Sequence, residues 1–223
     1  MEAVNNMSAT KNKVLAKTYN LLSYTLIWSA IVAMFSMYSG LTNAFTGMGM
    51  GSLVVMLVGY FGMLFAIEKT KNSGWGLFWT FGLTGFLGLT ISPLLQYAIG
   101  TGNSEAIFMS LGGTGVIFLL MSAYGRTTKK DLSGWMPLIF WCLLGAFVIS
   151  IFNAMFFNVS GLALIISAVF MVFSAMLISA YTQHIINGGE TNYISATVLL
   201  FVAIYNIFSS LLQIILAFTG GDE

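Results

Sequence analysis

LALIISAVFMVFSAMLISAY, residues 162–181, is an apolar run without a charged side chain. Its length is that of a helix crossing the hydrocarbon core of a bilayer, which needs about 20 residues. The rest of the chain is similar, because 58% of its residues are hydrophobic and 7% are charged. Soluble domains carry about 25% charged residues. The composition therefore predicts an integral membrane protein.

Seven apolar runs are long enough to be membrane spans. They cover residues 21–38, 53–67, 76–97, 107–124, 136–152, 162–181 and 194–218. None shows the alternating polarity of a membrane β-barrel strand, so each is predicted to be a helix. The sequence thus predicts an all-α integral membrane protein, a seven-transmembrane-helix bundle. We expect a flexible cytosolic tail at residues 1–20 and a single transmembrane domain at residues 21–223.

The basic residues set the expected orientation. They lie only in the tail and in the connections that follow the second and fourth runs: Lys11, Lys13, Lys17, Lys69, Lys71, Arg126, Lys129 and Lys130. With seven spans, these segments all lie on the side of the N-terminus. Cytoplasmic loops of membrane proteins carry such an excess of cations. The N-terminus is therefore predicted to be cytoplasmic, and the C-terminus, ending in Asp222 and Glu223, to be outside.

Small and polar residues within the runs are candidates for helix packing or for a narrow polar pore. Gly82, Gly85 and Gly88 form a stripe that would let two helices approach closely. Pro93 is expected to bend or end its helix. The polar candidates are Thr84, Ser92, Thr114 and Asn206. No acidic or basic residue lies inside a run, which argues against an internal proton relay.

Catalytic, metal and cofactor sites are not expected in this sequence. His184 is its one histidine, so no histidine cluster can bind a metal. Cys142, its one cysteine, lies in an apolar run and is predicted to be a buried structural thiol. The net charge of +1 provides no attraction to nucleic acid. The chain is predicted not to be an enzyme, with its oligomeric state left open.

The loop HIINGGETNYISATV, residues 184–198, holds His184 and an isolated Glu190. It is either a site or an ordinary connection between helices. Gly188 and its neighbour can end a helix in a left-handed turn. Thr191 or Asn192 is expected to cap the next helix, with Glu190 near its positive end. The sequence therefore favours a structural role, and a ligand role for His184 is the alternative.

Several separated motifs resemble those of one known family. They are TGFLG at 84–88, LGGTGVIF at 111–118, SAYGRTTKKDLS at 122–133, GGETNYISATV at 188–198 and YNIFSSLL at 205–212. Together, and in this order, they are similar to the bacterial YccA-like branch of the Bax inhibitor-1 family. The resemblance extends from about Lys13 to Phe218.

The resemblance implies a location, a partner and a mechanism. It implies six helices around a central seventh in the bacterial inner membrane. It also implies association with FtsH, a membrane-anchored protease, as a slow substrate that restrains attack on other proteins. The cytosolic tail, with Met1, Lys11, Lys13 and Lys17, would be the segment that the protease engages. Composition and terminal position favour disorder in such a tail.

A second theme of the family is a calcium leak gated by two aspartates on the last two helices. By resemblance, these latch positions fall at about Tyr181 and Ala203. Neither residue is a carboxylic acid, so the latch is not carried over. A calcium or ion leak without this latch is therefore the alternative function.

Overall fold

The protein is described by a computed structural model that gives the backbone of residues 2–219 and the side chains of residues 13–219. The described chain is helical, and no strand occurs in residues 2–219. A 3-10 turn, Ser133–Trp135, precedes α6, and a π-helical turn, Asn153–Phe157, follows it. The helices are α1 Glu2–Tyr38, α2 Leu41–Gly47, α3 Met50–Thr70, α4 Gly74–Gly100, α5 Ser104–Thr127, α6 Met136–Phe152, α7 Ser160–Ile186 and α8 Tyr193–Thr219.

Seven segments of the described chain are long and apolar enough to cross a membrane. They are Lys13–Tyr38, Met50–Thr70, Gly74–Gly100, Ser104–Thr127, Ser133–Phe157, Ser160–Ile186 and Tyr193–Thr219. Each contains one predicted run, so the prediction of seven transmembrane helices is confirmed. Helix α2 was not predicted, because a short segment between glycines has too little periodicity to be recognised.

The described chain divides into two compact units. The first unit contains residues 2–97 and 188–201, and therefore α1, α2, α3, nearly all of α4 and the start of α8. The second unit contains residues 98–187 and 202–219, and therefore α5, α6, α7 and the rest of α8. The single domain expected at residues 21–223 stays a prediction.

In the first unit, α1 and α4 are in contact at two of the three glycines that were predicted to let helices approach closely. The indole nitrogen of Trp28 donates a hydrogen bond to the Phe81 carbonyl, 3.0 Å away, and lies against Gly85. A side chain on Gly88 would collide with the backbone oxygen of Ser29. The helices therefore pack backbone to backbone, as close helix contacts in membranes require.

Helix α4 runs through Pro93 to Gly100, so this proline does not end it. A proline cannot donate to the carbonyl four residues earlier, here that of Leu89. The hydroxyl of Ser92 donates to this carbonyl instead, at 2.7 Å. Because the single Ser92 proton is then used, the Thr42 hydroxyl donates to Ser92, at 2.8 Å. Ser92 therefore supplies the hydrogen bond that Pro93 cannot make, and it also connects α2 to α4.

In the second unit, α5 and α7 meet at Gly125. A side chain at this position would collide with the backbone oxygen of Ser179. At the other end of α7, the Asn153 amide closes the turn from α6. Its oxygen accepts a hydrogen bond from the Val159 amide at 3.1 Å, and its nitrogen donates to the Val159 carbonyl at 3.3 Å. Close backbone contact at Gly125 and the Asn153 side chain thus each connect neighbouring helices of this unit.

Candidate functional site

The base of the N-terminal tail is attached to the start of α8. The Thr197 hydroxyl lies 3.2 Å from the Thr18 carbonyl and 2.7 Å from the Tyr193 carbonyl, and both threonines are fully buried. The Lys17 ammonium lies 5.4 Å from the centre of the Tyr193 ring. Such a cation–π contact contributes about 0.5–1 kcal/mol at an exposed site. We call Lys17, Thr18, Tyr193 and Thr197 the tail anchor.

The predicted tail residues are only partly described by the structure. Met1 and the side chain of Lys11 lie outside the described residues, whereas Lys13 and Lys17 are exposed. Thr18 falls within the predicted tail but is fully buried, so the packed region begins before residue 20. Helix α1 begins at Glu2. The flexibility expected of the tail stays a prediction.

Asn192 is the residue that caps α8. Its side-chain oxygen accepts hydrogen bonds from the amides of Ile194 and Ser195, at 2.9 and 3.2 Å. Its side-chain nitrogen donates to the Lys71 carbonyl at 3.1 Å and to the Asn72 side chain at 2.8 Å. One side chain therefore caps α8 and attaches it to the connection between α3 and α4.

The surrounding loop follows the pattern that the sequence indicated. Gly188 has the left-handed φ of 81° expected after the end of α7. The carboxylate of Glu190 accepts a hydrogen bond from the Asn192 amide at 2.7 Å. The pKa of Lys71 is raised by its hydrogen bond to Glu68, and the charges of Glu68 and Glu190 act in the same direction. In these contacts Glu190 stabilises the conformation of the loop.

We expect Asn192→Ala to lower the free energy of unfolding by about 2 kcal/mol, because it removes a helix cap and two further hydrogen bonds. Thermal unfolding in mild detergent would measure this change. Thr191→Ala is the matched control, since Thr191 is exposed and Asn192 already makes the capping bonds. Equal losses in the two variants would contradict the assignment of the cap.

The connection between α5 and α6 is held by Gln183, near the end of α7. Gln183 is 8% exposed, and its side-chain oxygen accepts a hydrogen bond from the Leu132 amide at 2.8 Å. Its nitrogen donates to the Lys130 carbonyl at 2.7 Å and lies 3.5 Å from the Thr128 carbonyl. We call residues 126–133 the basic loop and Gln183 its clamp.

The polar candidates within the spans bond mostly to their own helices. Thr84 donates to the Phe81 carbonyl at 3.3 Å, and Thr114 donates to the Ser110 carbonyl at 2.6 Å. Ser92 bonds to Leu89 and Thr42 as described above. Asn206 is half-buried. The assignment of these positions either to helix packing or to a narrow polar pore stays a prediction.

The two latch positions are buried. Tyr181 is 6% exposed and Ala203 is fully buried. The Tyr181 ring lies 5.8 Å, centre to centre, from the His184 ring. Among the residues that the structure describes, no three His, Cys, Asp or Glu side chains are grouped so that they could hold a metal ion.

The sequence did not reveal the clamp or the tail anchor. Both depend on contacts between residues far apart in the chain, such as Thr18 and Thr197. A glutamine at the end of an otherwise apolar run is the one local signal for the clamp. A polar side chain there needs buried partners, because an unpaired amide would cost about 1–3 kcal/mol.

Comparison with known proteins identifies relatives that cover nearly the whole chain. The family described as "Inhibitor of apoptosis-promoting Bax1" matches residues 11–220. Protein PA2604 of Pseudomonas aeruginosa is 44% identical over 94% of this chain and 91% of its own. Two Escherichia coli proteins, named "Modulator of FtsH protease YccA" and "Inner membrane protein YccA", are each 41% identical over 95% of this chain and 92% of their own.

These relatives and the seven spans agree on location and family. The chain is a multi-pass inner-membrane protein, as the sequence predicted. The family match covers all seven spans, and the motifs recognised in the sequence lie within it. The chain therefore belongs to the Bax inhibitor-1 family.

Proposed function

We propose that this protein modulates the membrane protease FtsH and performs no catalysis of its own. The observation that carries the proposal is the 41% identity, over 95% of the chain, to the E. coli protein named as a modulator of that protease. The proposed orientation has the N-terminus in the cytoplasm, because the basic residues lie in the tail, at the ends of α3 and α5, and in the connections that follow these two helices. The tail then lies on the cytoplasmic side.

In the proposed mechanism, the protein is a slow substrate that occupies the protease. FtsH would engage the tail, including Met1, Lys11, Lys13 and Lys17, and pull it. A processive protease needs such an end, and chain termini are common sites of attack. While the protease works on this chain, it is less available to other membrane proteins.

The tail anchor supports slow processing. Force applied to the tail reaches the folded region at Lys17 and Thr18, which contact the start of α8. That start is attached through Asn192 to the connection between α3 and α4. Beyond the anchor, α1 touches the backbone of α4 at Gly88. Extraction of α1 must therefore break its contacts with two other helices, α8 and α4.

Deleting residues 2–12 tests the proposal, because the deletion leaves the tail anchor intact. We expect the truncated protein to be degraded severalfold more slowly in cells. Pulse-chase labelling would follow it together with a second FtsH substrate, which should become less stable. Replacing residues 2–12 by an unrelated polar sequence of equal length is the control and should restore turnover. Unchanged turnover of both proteins after the deletion would contradict the proposal.

The Asn192→Ala variant gives this experiment a second arm. Its tail is intact, but the start of α8 is less firmly held, so FtsH should degrade it faster than the unaltered protein. Thr191→Ala should behave like the unaltered protein. Faster loss that persists in cells lacking FtsH would show that another protease removes a merely unstable protein.

A calcium or ion leak is the alternative function. Calcium flux into liposomes that contain the purified protein would test it. Flux no greater than that of empty liposomes would eliminate this alternative, and it would leave the protease proposal unaffected.

A further inference from the structure

We propose that the basic loop binds the phosphate of an anionic phospholipid headgroup. The loop carries Arg126, Lys129 and Lys130, and all three residues are exposed. It lies beside the membrane in the second unit, since α5 ends at Thr127 and the next membrane-spanning segment of the structure begins at Ser133. Basic segments beside membrane spans attract anionic lipids.

The backbone of the loop is held in place by hydrogen bonds, both from α7 and within the loop. The Gln183 clamp bonds to the backbone of Lys130 and Leu132, at 2.7 and 2.8 Å. The carboxylate of Asp131 accepts a hydrogen bond from the Ser133 amide at 2.9 Å. The Lys129 and Lys130 side chains therefore extend from a fixed backbone, and less entropy is lost when they bind a ligand.

The loop's lysines are not neutralised by nearby acids. Neither Lys129 nor Lys130 forms an ion pair within the described part of the chain. Asp131 is the one acidic residue in the loop, and hydrogen bonding to Ser133 lowers its pKa. Its carboxylate is therefore ionised at neutral pH and already engaged by the turn that precedes α6.

The connection between α3 and α4 provides a contrast. Its Lys71 forms an ion pair with Glu68 at 2.5 Å. Lys69 lies over the Phe65 ring, with its ammonium 5.5 Å from the ring centre. Lys69, at the end of α3, and Lys71, in the connection, therefore both have partners within the protein. The lysines of the basic loop and those beside the α3–α4 connection thus differ in their capacity to bind an external anion.

Aromatic residues place the basic loop at headgroup depth. Tyr124, in the last turn of α5, is 46% exposed, and Trp135, just before α6, is 50% exposed. Tyrosine and tryptophan concentrate at the membrane–water interface. Only residues 128–132 separate α5 from the 3-10 turn, so the loop cannot extend far from the bilayer. This position favours a lipid headgroup over an acidic protein in the cytosol.

The test compares lipids retained by the purified full-length protein. The protein is reconstituted in vesicles of phosphatidylcholine mixed with an equal amount of phosphatidylglycerol, then released in mild detergent for native mass spectrometry. We expect bound phosphatidylglycerol to exceed bound phosphatidylcholine, and Lys129→Gln with Lys130→Gln to reduce that preference about tenfold. Raised salt should weaken the preference, because exposed charges are screened.

Two further variants make the result decisive. Lys69→Gln with Lys71→Gln removes the same charge from the other connection and should leave the preference nearly unchanged. Lys129→Arg with Lys130→Arg keeps the charge and should retain it. Equal losses in the two glutamine variants would overturn the proposal, and so would no loss in either. Unchanged lipid preference with lost recovery of FtsH from native membranes would assign the loop to a protein partner instead.

Discussion

Replacing Gly88 or Gly125 by alanine is expected to lower the free energy of unfolding by about 3 kcal/mol, near the upper end of overpacking costs. In each case the added methyl group would overlap a backbone oxygen of a neighbouring helix, that of Ser29 or Ser179. A flexible side chain can move aside, whereas a helix backbone cannot do so without moving the whole helix. The helices must therefore separate, and their contacts weaken along their length.

Thermal unfolding in detergent would measure the loss, and Gly112→Ala and Gly115→Ala are the controls. A methyl group at either control position would meet no atom within 4 Å. Alanine favours a helix over glycine by up to about 1 kcal/mol, so the controls should be neutral or slightly stabilised. If all four variants lost equal stability, close backbone contact would not explain the effect.

Gln183→Leu is expected to lower the free energy of unfolding by about 2–3 kcal/mol. Leucine has a similar size but cannot pair with the Leu132 amide or the Lys130 carbonyl, which Gln183 now bonds. Unpaired buried groups of this kind cost about 1–3 kcal/mol each, and here solvent access to the loop offsets part of that cost. The loss should appear as a lower melting temperature and faster hydrogen exchange at the Leu132 amide.

Gln213→Leu, in α8, is the matched control for the clamp. The Gln213 oxygen lies 3.2 Å from the Ser167 hydroxyl, which also donates to the Ala163 carbonyl at 2.9 Å. Ser167 therefore keeps a partner when Gln213 is replaced, and the expected loss is small. A larger loss for Gln213→Leu than for Gln183→Leu would refute the clamp.

The membrane helices could be predicted from the sequence because lipid imposes a simple requirement. Each crossing needs about 20 apolar residues, and every backbone group must be paired within the helix. The run at residues 162–181, for example, lies wholly within α7. Local capping chemistry was nearly as informative, since it narrowed the cap of α8 to Thr191 or Asn192.

The choice between those two caps required the structure. Both side chains can cap a helix, but only Asn192 also reaches Lys71 and Asn72. The tail anchor, the clamp and the repair of α4 at Pro93 likewise depend on contacts or geometry that one run of sequence does not specify. Predictions from periodicity therefore identify the elements, whereas the polar contacts that connect them come from the tertiary fold.

The division of α8 between the two units has a consequence for biosynthesis. The first unit is complete only when residues 188–201 are made, which follows the synthesis of residues 98–187. At about 5–20 residues per second, that interval is roughly 5–20 seconds. During it, α1, α3 and α4 lie in the membrane without the segment that bonds to Thr18 and to Lys71. Nascent chains should therefore be most vulnerable to quality control in this interval, and a stop codon before residue 188 should yield rapidly removed fragments.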